Sequence, residues 1–213
     1  MIEIKNLYLK FIREYYALFD INLTINDGDC VAFVGKENSG RTTLLRSIAG
    51  LEKYDSGEIF INGRSLKTID FKTDVELGYI PEVPVFFENK SVYNNLKYVL
   101  EERKLPKNEI EEKINNALIT FKIEKYKNIK IKDLDLYEKY LISFVRLSLR
   151  KLDYLLIDNI FNKITPEEGQ AILLLIKDLF LSKNTTTIIV SDKYEDVESV
   201  CNRCICFESG SIV

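Results

Sequence analysis

Hydrophobic and polar positions alternate with a period of two over the first part of this chain. The runs "MIEIKNLYLKF" and "LFDINLTI" follow that period, and a turn around Gly28 separates them from a wholly apolar run at residues 30–34. Residues 56–66, "SGEIFINGRSL", have the glycine turns that are typical of a strand pair, and "VELGYIPE" predicts a further buried strand ending at Pro81 and Glu82. These patterns predict a strand-rich N-terminal part.

The pattern changes to that of helices from about residue 91 to about residue 152. Apolar residues recur three and four positions apart in "SVYNNLKYVLEERK", "KNEIEEKINNALITF" and "YEKYLISFVRLSLRKL", which predicts three helices. Strand-like text returns in "YLLID", ending at Asp158, and in "TTTIIVSD", ending at Asp192, with a predicted helix at residues 166–181 between them. Nearly all-apolar strands that alternate with helices indicate a parallel sheet covered on both faces, here interrupted by a helical insert.

Composition narrows the function classes. The chain has 213 residues, which suits one ordinary domain, and 30 basic against 33 acidic residues give a net charge of -3. That balance does not indicate a nucleic-acid partner. No apolar run is long enough to span a bilayer, and the first ten residues alternate like a strand rather than a signal peptide. We expect a soluble intracellular protein whose membrane role, if it has one, depends on another polypeptide.

Four cysteines could suggest a metal site, and three of them lie in the spacing C-x-x-C-x-C. The members are Cys30, Cys201, Cys204 and Cys206. Two of them alternate with Ile205 and Phe207 in a run that predicts a buried strand, and buried cysteine behaves as a small apolar residue. Because the chain has no histidine to complete a mixed site, we interpret the cysteines as core residues.

The stretch "GKENSGRTT" has the spacing of a phosphate-binding loop, G-x-x-x-x-G-K-[ST], with arginine where that loop has lysine. Such a loop works because backbone N–H groups point inward at the head of a helix, here predicted at residues 42–49 and ended by Gly50. Two of its side chains, Thr42 and the later Asp158, are candidates to hold Mg²⁺. The candidate nucleotide-binding residues are Gly35, Asn38, Ser39, Gly40, Arg41, Thr42 and Thr43.

Arg41 leaves two alternatives open. A guanidinium is longer than an ammonium, planar and forked, so it is not expected to thread the loop as lysine does. It either clamps phosphate from outside the loop or turns to solvent.

The order of these segments resembles the nucleotide-binding domain of ATP-binding-cassette (ABC) proteins over the whole chain. After the phosphate loop, "SGEIFING" is close to the family's strand-turn-strand text, "GYIPE" and "SVYNNL" stand at the glutamine loop and its following helix, and "YLLIDN" stands at the Walker B motif. "TTIIVSDKYEDVESVCNRCICFESGSIV" resembles the usual end of the domain. The resemblance implies binding of ATP and Mg²⁺.

The resemblance also implies a fold. It is the α/β fold of P-loop NTPases, with a mainly parallel sheet, an N-terminal antiparallel β-subdomain and an inserted helical subdomain. We expect a single nucleotide-binding domain over residues 1–213, with a core at 1–86 and 153–213 and the helical subdomain at 87–152.

Three positions depart from the family's catalytic pattern. Glu82 stands where a glutamine contacts the metal and the attacking water, Asn159 where a glutamate acts as general base, and Asp192 where a histidine touches the γ-phosphate. Asparagine takes no proton from water, and loss of a positioned base typically lowers a rate ~10²- to 10⁴-fold. A carboxylate near the γ-phosphate repels it by about 4 kcal/mol at ~4 Å in a dielectric near 20. Glu82 could ligate Mg²⁺ instead, and for Asp192 the sequence suggests no such compensation.

The glycine-rich signature motif of the family is also replaced. Its position reads "LDLYE", that is Leu134, Asp135, Leu136, Tyr137 and Glu138. Asp135 would present a negative charge to the phosphate of a partner subunit. The D-x-x-E spacing instead predicts a capping box for a helix starting near Leu136. For adenine stacking, Phe11 is the best positional match, with Tyr15 and Tyr16 behind it.

Two kinds of function follow from the resemblance. One is a degenerate pseudo-ATPase that binds nucleotide weakly and acts with a membrane permease, a second ABC subunit or another copy of itself. It would lie in the cytoplasm, at the inner face of the membrane when bound to the permease. The alternative is a slow ATPase that forms half of an asymmetric dimer, or a purely structural or regulatory module. Residues 86–99 stand where family members usually meet their permease, and nothing indicates a nucleic-acid partner.

Overall fold

The computed structural model describes residues 1–12, 15–71 and 73–213, with the side chain of Ile12 left aside, and these residues form two compact units. The core unit comprises residues 1–82 and 152–213, and the helical unit comprises residues 83–151. The two boundaries are predicted from the sequence at 86/87 and 152/153.

The core unit is built on two sheets. The smaller one is antiparallel, with the strand order β2-β1-β4-β5. Its strands are β1 (Ile2–Ile12), β2 (Tyr15–Ile25), β4 (Ser56–Ile61) and β5 (Arg64–Ser65). The larger sheet has the order β10-β9-β3-β8-β7-β6 and is parallel except for β10. Its strands are β3 (Cys30–Gly35), β6 (Leu77–Ile80), β7 (Tyr154–Asp158), β8 (Thr186–Ser191), β9 (Arg203–Glu208) and β10 (Ser211–Ile212).

Five α-helices occur in the described residues. They are α1 (Arg41–Ile48), α2 (Val92–Glu101), α3 (Lys107–Thr120), α4 (Leu136–Ser148) and α5 (Pro166–Leu179). The first and last belong to the core unit, and the other three contact one another within the helical unit. The predicted mainly parallel sheet, antiparallel β-subdomain and helical insert are therefore confirmed. Each helix of the described chain is too short or too polar to cross a bilayer.

Strand β9 corrects the interpretation of the cysteines. Ile205 and Phe207 point into the core, where the ring of Phe207 lies 5.1 Å from that of Phe33. Cys204 and Cys206 point to the opposite face and are exposed, whereas Cys30 and Cys201 are buried with their Sγ atoms 3.5 Å apart. The expectation that all four are core residues is wrong for two of them, because only one face of this strand is covered.

Candidate functional site: a phosphate loop with an internal ion pair

The phosphate loop connects the end of β3 to the first residue of α1. Asn38 and Gly40 adopt left-handed backbone conformations, with φ of 62° and 103°. A Cβ atom at Gly40 would lie 2.5 Å from the Ala17 carbonyl oxygen, so glycine is required there. The Ser39 N–H donates to the Lys36 carbonyl at 3.2 Å and closes the turn. The loop thus has the tight backbone that a phosphate cradle needs.

A cleft of about 370 Å³ in the core unit opens at this loop. Its lining residues are Glu37, Asn38, Ser39, Gly40, Arg41, Thr42, Thr43, Glu82, Asn159, Asn162, Lys163 and Asp192. The structure therefore brings most of the predicted nucleotide-binding residues together with all three departing positions. They meet because β3, β8, β7 and β6 are neighbouring parallel strands whose carboxyl ends share one edge of the sheet. Gly35 ends β3 just before the loop.

The two residues of the predicted magnesium pair are in contact, and one of them, Thr42, lines this cleft. The Thr42 hydroxyl donates to Asp158 Oδ1 at 2.7 Å, and the Tyr79 hydroxyl donates to Asp158 Oδ2 at 2.8 Å. Burial raises the pKa of Asp158 above its usual value, and the two hydroxyl donors partly oppose that rise. A threonine hydroxyl beside a carboxylate is a ligand set that suits Mg²⁺. Tyr79 was not selected from the sequence, although its place one residue before the last of β6 puts it at the same sheet edge.

Asn159 follows the last residue of β7 in a left-handed conformation, with φ of 52°. Its backbone N–H donates to the Val190 carbonyl at 3.1 Å, which fixes the turn. Its buried Oδ1 has no hydrogen-bond partner among the described residues. That amide oxygen can accept a hydrogen bond from a ligand or water, but it takes no proton at ordinary pH.

Arg41 does not follow the second of the two alternatives considered from the sequence. Its side chain is only 5% exposed, so it does not turn to solvent. Its Nε donates to Ser39 Oγ at 3.1 Å and Nη2 donates to the Lys36 carbonyl at 3.1 Å, while Nη1 donates to the Ser191 carbonyl. The guanidinium therefore braces the loop against the end of β8.

The same guanidinium pairs with Asp192, which the sequence left without compensation. Nη2 of Arg41 lies 3.0 Å from Asp192 Oδ1, and the Asn162 side-chain amide donates to Asp192 Oδ2 at 3.2 Å. Glu82 is paired in the same manner, with its Oε1 at 3.0 Å from Lys163 Nζ. Asn162 and Lys163 were not selected from the sequence, because ordinary polar residues after a strand carry no distinguishing signal.

The structure also places an aromatic residue at the loop. The Tyr15 hydroxyl donates to the Asn38 carbonyl at 3.1 Å. Phe11, the residue selected for adenine stacking, lies on β1 with 58% of its side chain exposed. Its role in stacking stays a prediction.

In the helical unit, the segment at the signature position forms the predicted capping box. Asp135 is the N-cap of α4 and accepts from the Glu138 N–H at 2.8 Å, and Glu138 Oε2 accepts from the Asp135 N–H at 3.0 Å. Leu134 precedes the N-cap and is buried, and Leu136 and Tyr137 are the first two residues of the helix. The Glu138 N–H, one of the free donors of a helix head, is thus satisfied within the chain.

Sequence comparison gives a consistent set of matches. A family model described as ABC transporter matches residues 18–162. The methionine import ATP-binding protein MetN of Clostridium acetobutylicum is 31% identical over 100% of this chain and 67% of its own length. The sulfate/thiosulfate import ATP-binding protein CysA of Mesostigma viride is 29% identical over 99% of this chain and 60% of its own length. The chain therefore spans about two thirds or less of the length of these curated relatives.

Solved structures resemble this fold over its whole length. The cbiO1 protein of Clostridium perfringens, part of the ABC transporter complex cbiONQ, matches 100% of this chain and 86% of its own with a TM-score of 0.86 at 22% identity. A dimeric bacterial ABC transporter cassette matches 100% of this chain and 96% of its own with a TM-score of 0.88 at 21% identity. At these identities the two likenesses establish the fold alone.

Proposed function

Because this chain belongs to the ABC transporter family of ATP-binding subunits, we propose that it is a degenerate member whose site binds nucleotide weakly and hydrolyses ATP slowly or not at all. In this proposal it acts with a membrane permease or a second ATP-binding subunit, at the cytoplasmic face of the membrane.

The observation that carries the proposal is that the Arg41 guanidinium forms its hydrogen bonds with other residues of this chain. A guanidinium has five N–H donors, and this one makes four contacts with Ser39, Lys36, Ser191 and Asp192. These contacts use four of the five donors and leave at most one N–H of Arg41 for phosphate. The positive charge of Arg41 is therefore largely neutralised by Asp192 before any nucleotide arrives.

The residues at the positions where family members contact the third phosphate are poorly suited to catalysing hydrolysis. Asn159 stands at the strand end where a general base is needed, and an amide cannot remove a proton from water. Asp192 adds a carboxylate, and its pairing with Arg41 cancels that charge without creating a donor for phosphate. The cleft thus has a loop that suits phosphate and an opposite wall that does not.

Thr42 and Asp158 would hold Mg²⁺, since both are oxygen ligands in mutual contact. Bound there, the ion would screen phosphate charge. This intact pair is the one observation that favours the alternative, a slow ATPase working as half of an asymmetric dimer with a competent partner.

A permease partner is supported by the relatives, which are named as import ATP-binding proteins, and by exposed apolar side chains in the helical unit. Val83, Val85 and Phe87 are exposed, and Tyr98 packs edge-on against Phe87 at 5.3 Å between ring centroids. Arg146 holds this segment by stacking on Phe86 at 4.6 Å and donating to the Val85 carbonyl at 2.9 Å. An ordered apolar surface of this kind suits burial against another protein.

Steady-state hydrolysis of Mg-ATP by the purified chain tests the catalytic part. We expect a rate no higher than that of the Asp158→Ala variant, which removes the carboxylate of the magnesium pair. A rate typical of ABC ATPases that falls in Asp158→Ala would refute the pseudo-ATPase. Activity that appears only when a candidate partner subunit is added would instead establish the asymmetric dimer.

A further inference from the structure

The Asp192 carboxylate places a negative charge of the protein itself in the cleft. Its two carboxylate oxygens accept from different groups, Oδ1 from the Arg41 guanidinium and Oδ2 from the Asn162 amide. A cation and an amide that converge on one oxyanion are the kind of donors that a terminal phosphoryl group uses. In this chain both donors are already satisfied by Asp192.

The charges of the residues that line the cleft also disfavour a further anion. Among the described residues, three carboxylates line the cleft, those of Glu37, Glu82 and Asp192, against two cations, Arg41 and Lys163. Both cations are engaged by carboxylates of the same cleft. Each additional negative charge on a ligand is therefore repelled, because the cations of the cleft are already paired and its carboxylates outnumber them.

The phosphate loop provides the opposite environment. Its backbone N–H groups at the head of α1 need no cation to attract phosphate, and loops of this type hold the first two phosphates of a nucleotide. A triphosphate is one phosphoryl group longer, and the described residues that line the rest of the cleft are Glu82, Asn159, Asn162, Lys163 and Asp192. Among these, Lys163 is paired with Glu82 and the Asn162 amide donates to Asp192. The loop end suits two phosphates, whereas this wall is unsuited to a third.

We propose that the site prefers a nucleoside diphosphate over the corresponding triphosphate, with the Asp192 carboxylate standing in place of the third phosphate. This inference rests on the proposed function, because it requires that the cleft bind nucleotide at all. It assigns the protein a specificity for the product of ATP hydrolysis rather than for its substrate. The chain would then report the nucleoside diphosphate level or hold a permease in its diphosphate-bound arrangement.

Titration calorimetry on the whole chain tests the preference directly, with ADP and with the β,γ-imido analogue of ATP, so that hydrolysis cannot convert one ligand into the other. For the wild type we expect ADP to bind at least tenfold more tightly, which corresponds to about 1.4 kcal/mol. The order should hold with and without Mg²⁺. This measurement needs no variant and therefore does not depend on the folding of one.

The Asp192→Asn variant removes the charge and keeps the shape. We expect it to tighten binding of the triphosphate analogue about fivefold or more, at unchanged ADP affinity within twofold. Asp178→Asn is the matched control, because it makes the same change of charge at an exposed position in the last turn of α5. It should leave both affinities unchanged.

The outcomes separate the two proposals. Triphosphate binding equal to or tighter than ADP binding in the wild type overturns the diphosphate preference and leaves the pseudo-ATPase in place. An unchanged ratio in Asp192→Asn shows that another feature sets it and overturns the role of Asp192. Binding of neither ligand overturns nucleotide binding itself, and the diphosphate preference with it.

Discussion

Asp158 and Asp192 stand at the carboxyl ends of neighbouring parallel strands, and the fold treats the two carboxylates in opposite ways. Asp158 ends β7, is 3% exposed and accepts from two neutral hydroxyl groups, those of Thr42 and Tyr79. Asp192 follows β8, is 42% exposed and is paired with the Arg41 guanidinium. The neutral partners of Asp158 could be replaced by a metal ion. Asp192, by contrast, is paired with a cation of the protein.

The difference shows how the site departs from its family. Considered separately, the arginine in the loop and the aspartate after β8 would each be expected to impair phosphate binding. Together they form one ion pair, so that the two departures compensate each other in the fold and the Arg41 charge is already paired with a carboxylate.

Among the variants that test this comparison, we expect Arg41→Leu to have the largest effect on stability. The change leaves the Asp192 carboxylate and the Lys36 and Ser191 carbonyls without their donor. We expect the free energy of unfolding to fall by about 2–4 kcal/mol, less than for a fully buried pair because water reaches Asp192. Urea denaturation measures it.

Arg46→Leu is the control for that variant. Arg46 lies on the same helix, is 46% exposed and contacts Glu52 at 3.7 Å, so its loss should cost less than about 1 kcal/mol. Equal losses for the two arginines would show that all the contacts of the Arg41 guanidinium together contribute no more than one surface contact.

A smaller effect separates the two carboxylates themselves. Asp158→Ala removes the acceptor of two partly buried hydroxyl groups and should lower the free energy of unfolding by about 1–3 kcal/mol. Asp192→Ala should cost less than about 1 kcal/mol, because its pair is half exposed. Thermal or urea unfolding of both variants measures the order, and a larger loss in Asp192→Ala would reverse the comparison.

The smallest expected effect is a dependence on pH. Burial raises the pKa of Asp158, so its protonated form is favoured by folding, and that contribution is fully present only below about pH 4. The unfolding free energy of the wild type should therefore decrease relative to that of Asp158→Asn as the pH rises above about 4. Denaturation of both proteins across pH 4 to 7 measures the difference, and a wild-type unfolding free energy that increases with pH relative to that of Asp158→Asn would contradict the effect of burial.

Much of the site was predictable because its signals are local. The glycine spacing around the loop, the apolar strands ending at Asp158 and Asp192, and the capping box of α4 each depend on residues close together in the chain. Such signals follow from backbone geometry and helix capping, which act over a few residues. Strand alternation on β9 was equally visible, but the alternation alone could not tell that the face of Cys204 and Cys206 is exposed.

The sequence by itself determined the family, the strand-loop-helix unit that cradles phosphate, and the residue types at each strand end. Only the tertiary structure decided which of those residues meet. Arg41 and Asp192 lie 151 positions apart and become partners because β3 and β8 are adjacent in the sheet. The order of strands and the direction of a long side chain are set by packing and by the need to satisfy a buried charge, and neither is visible in a local pattern.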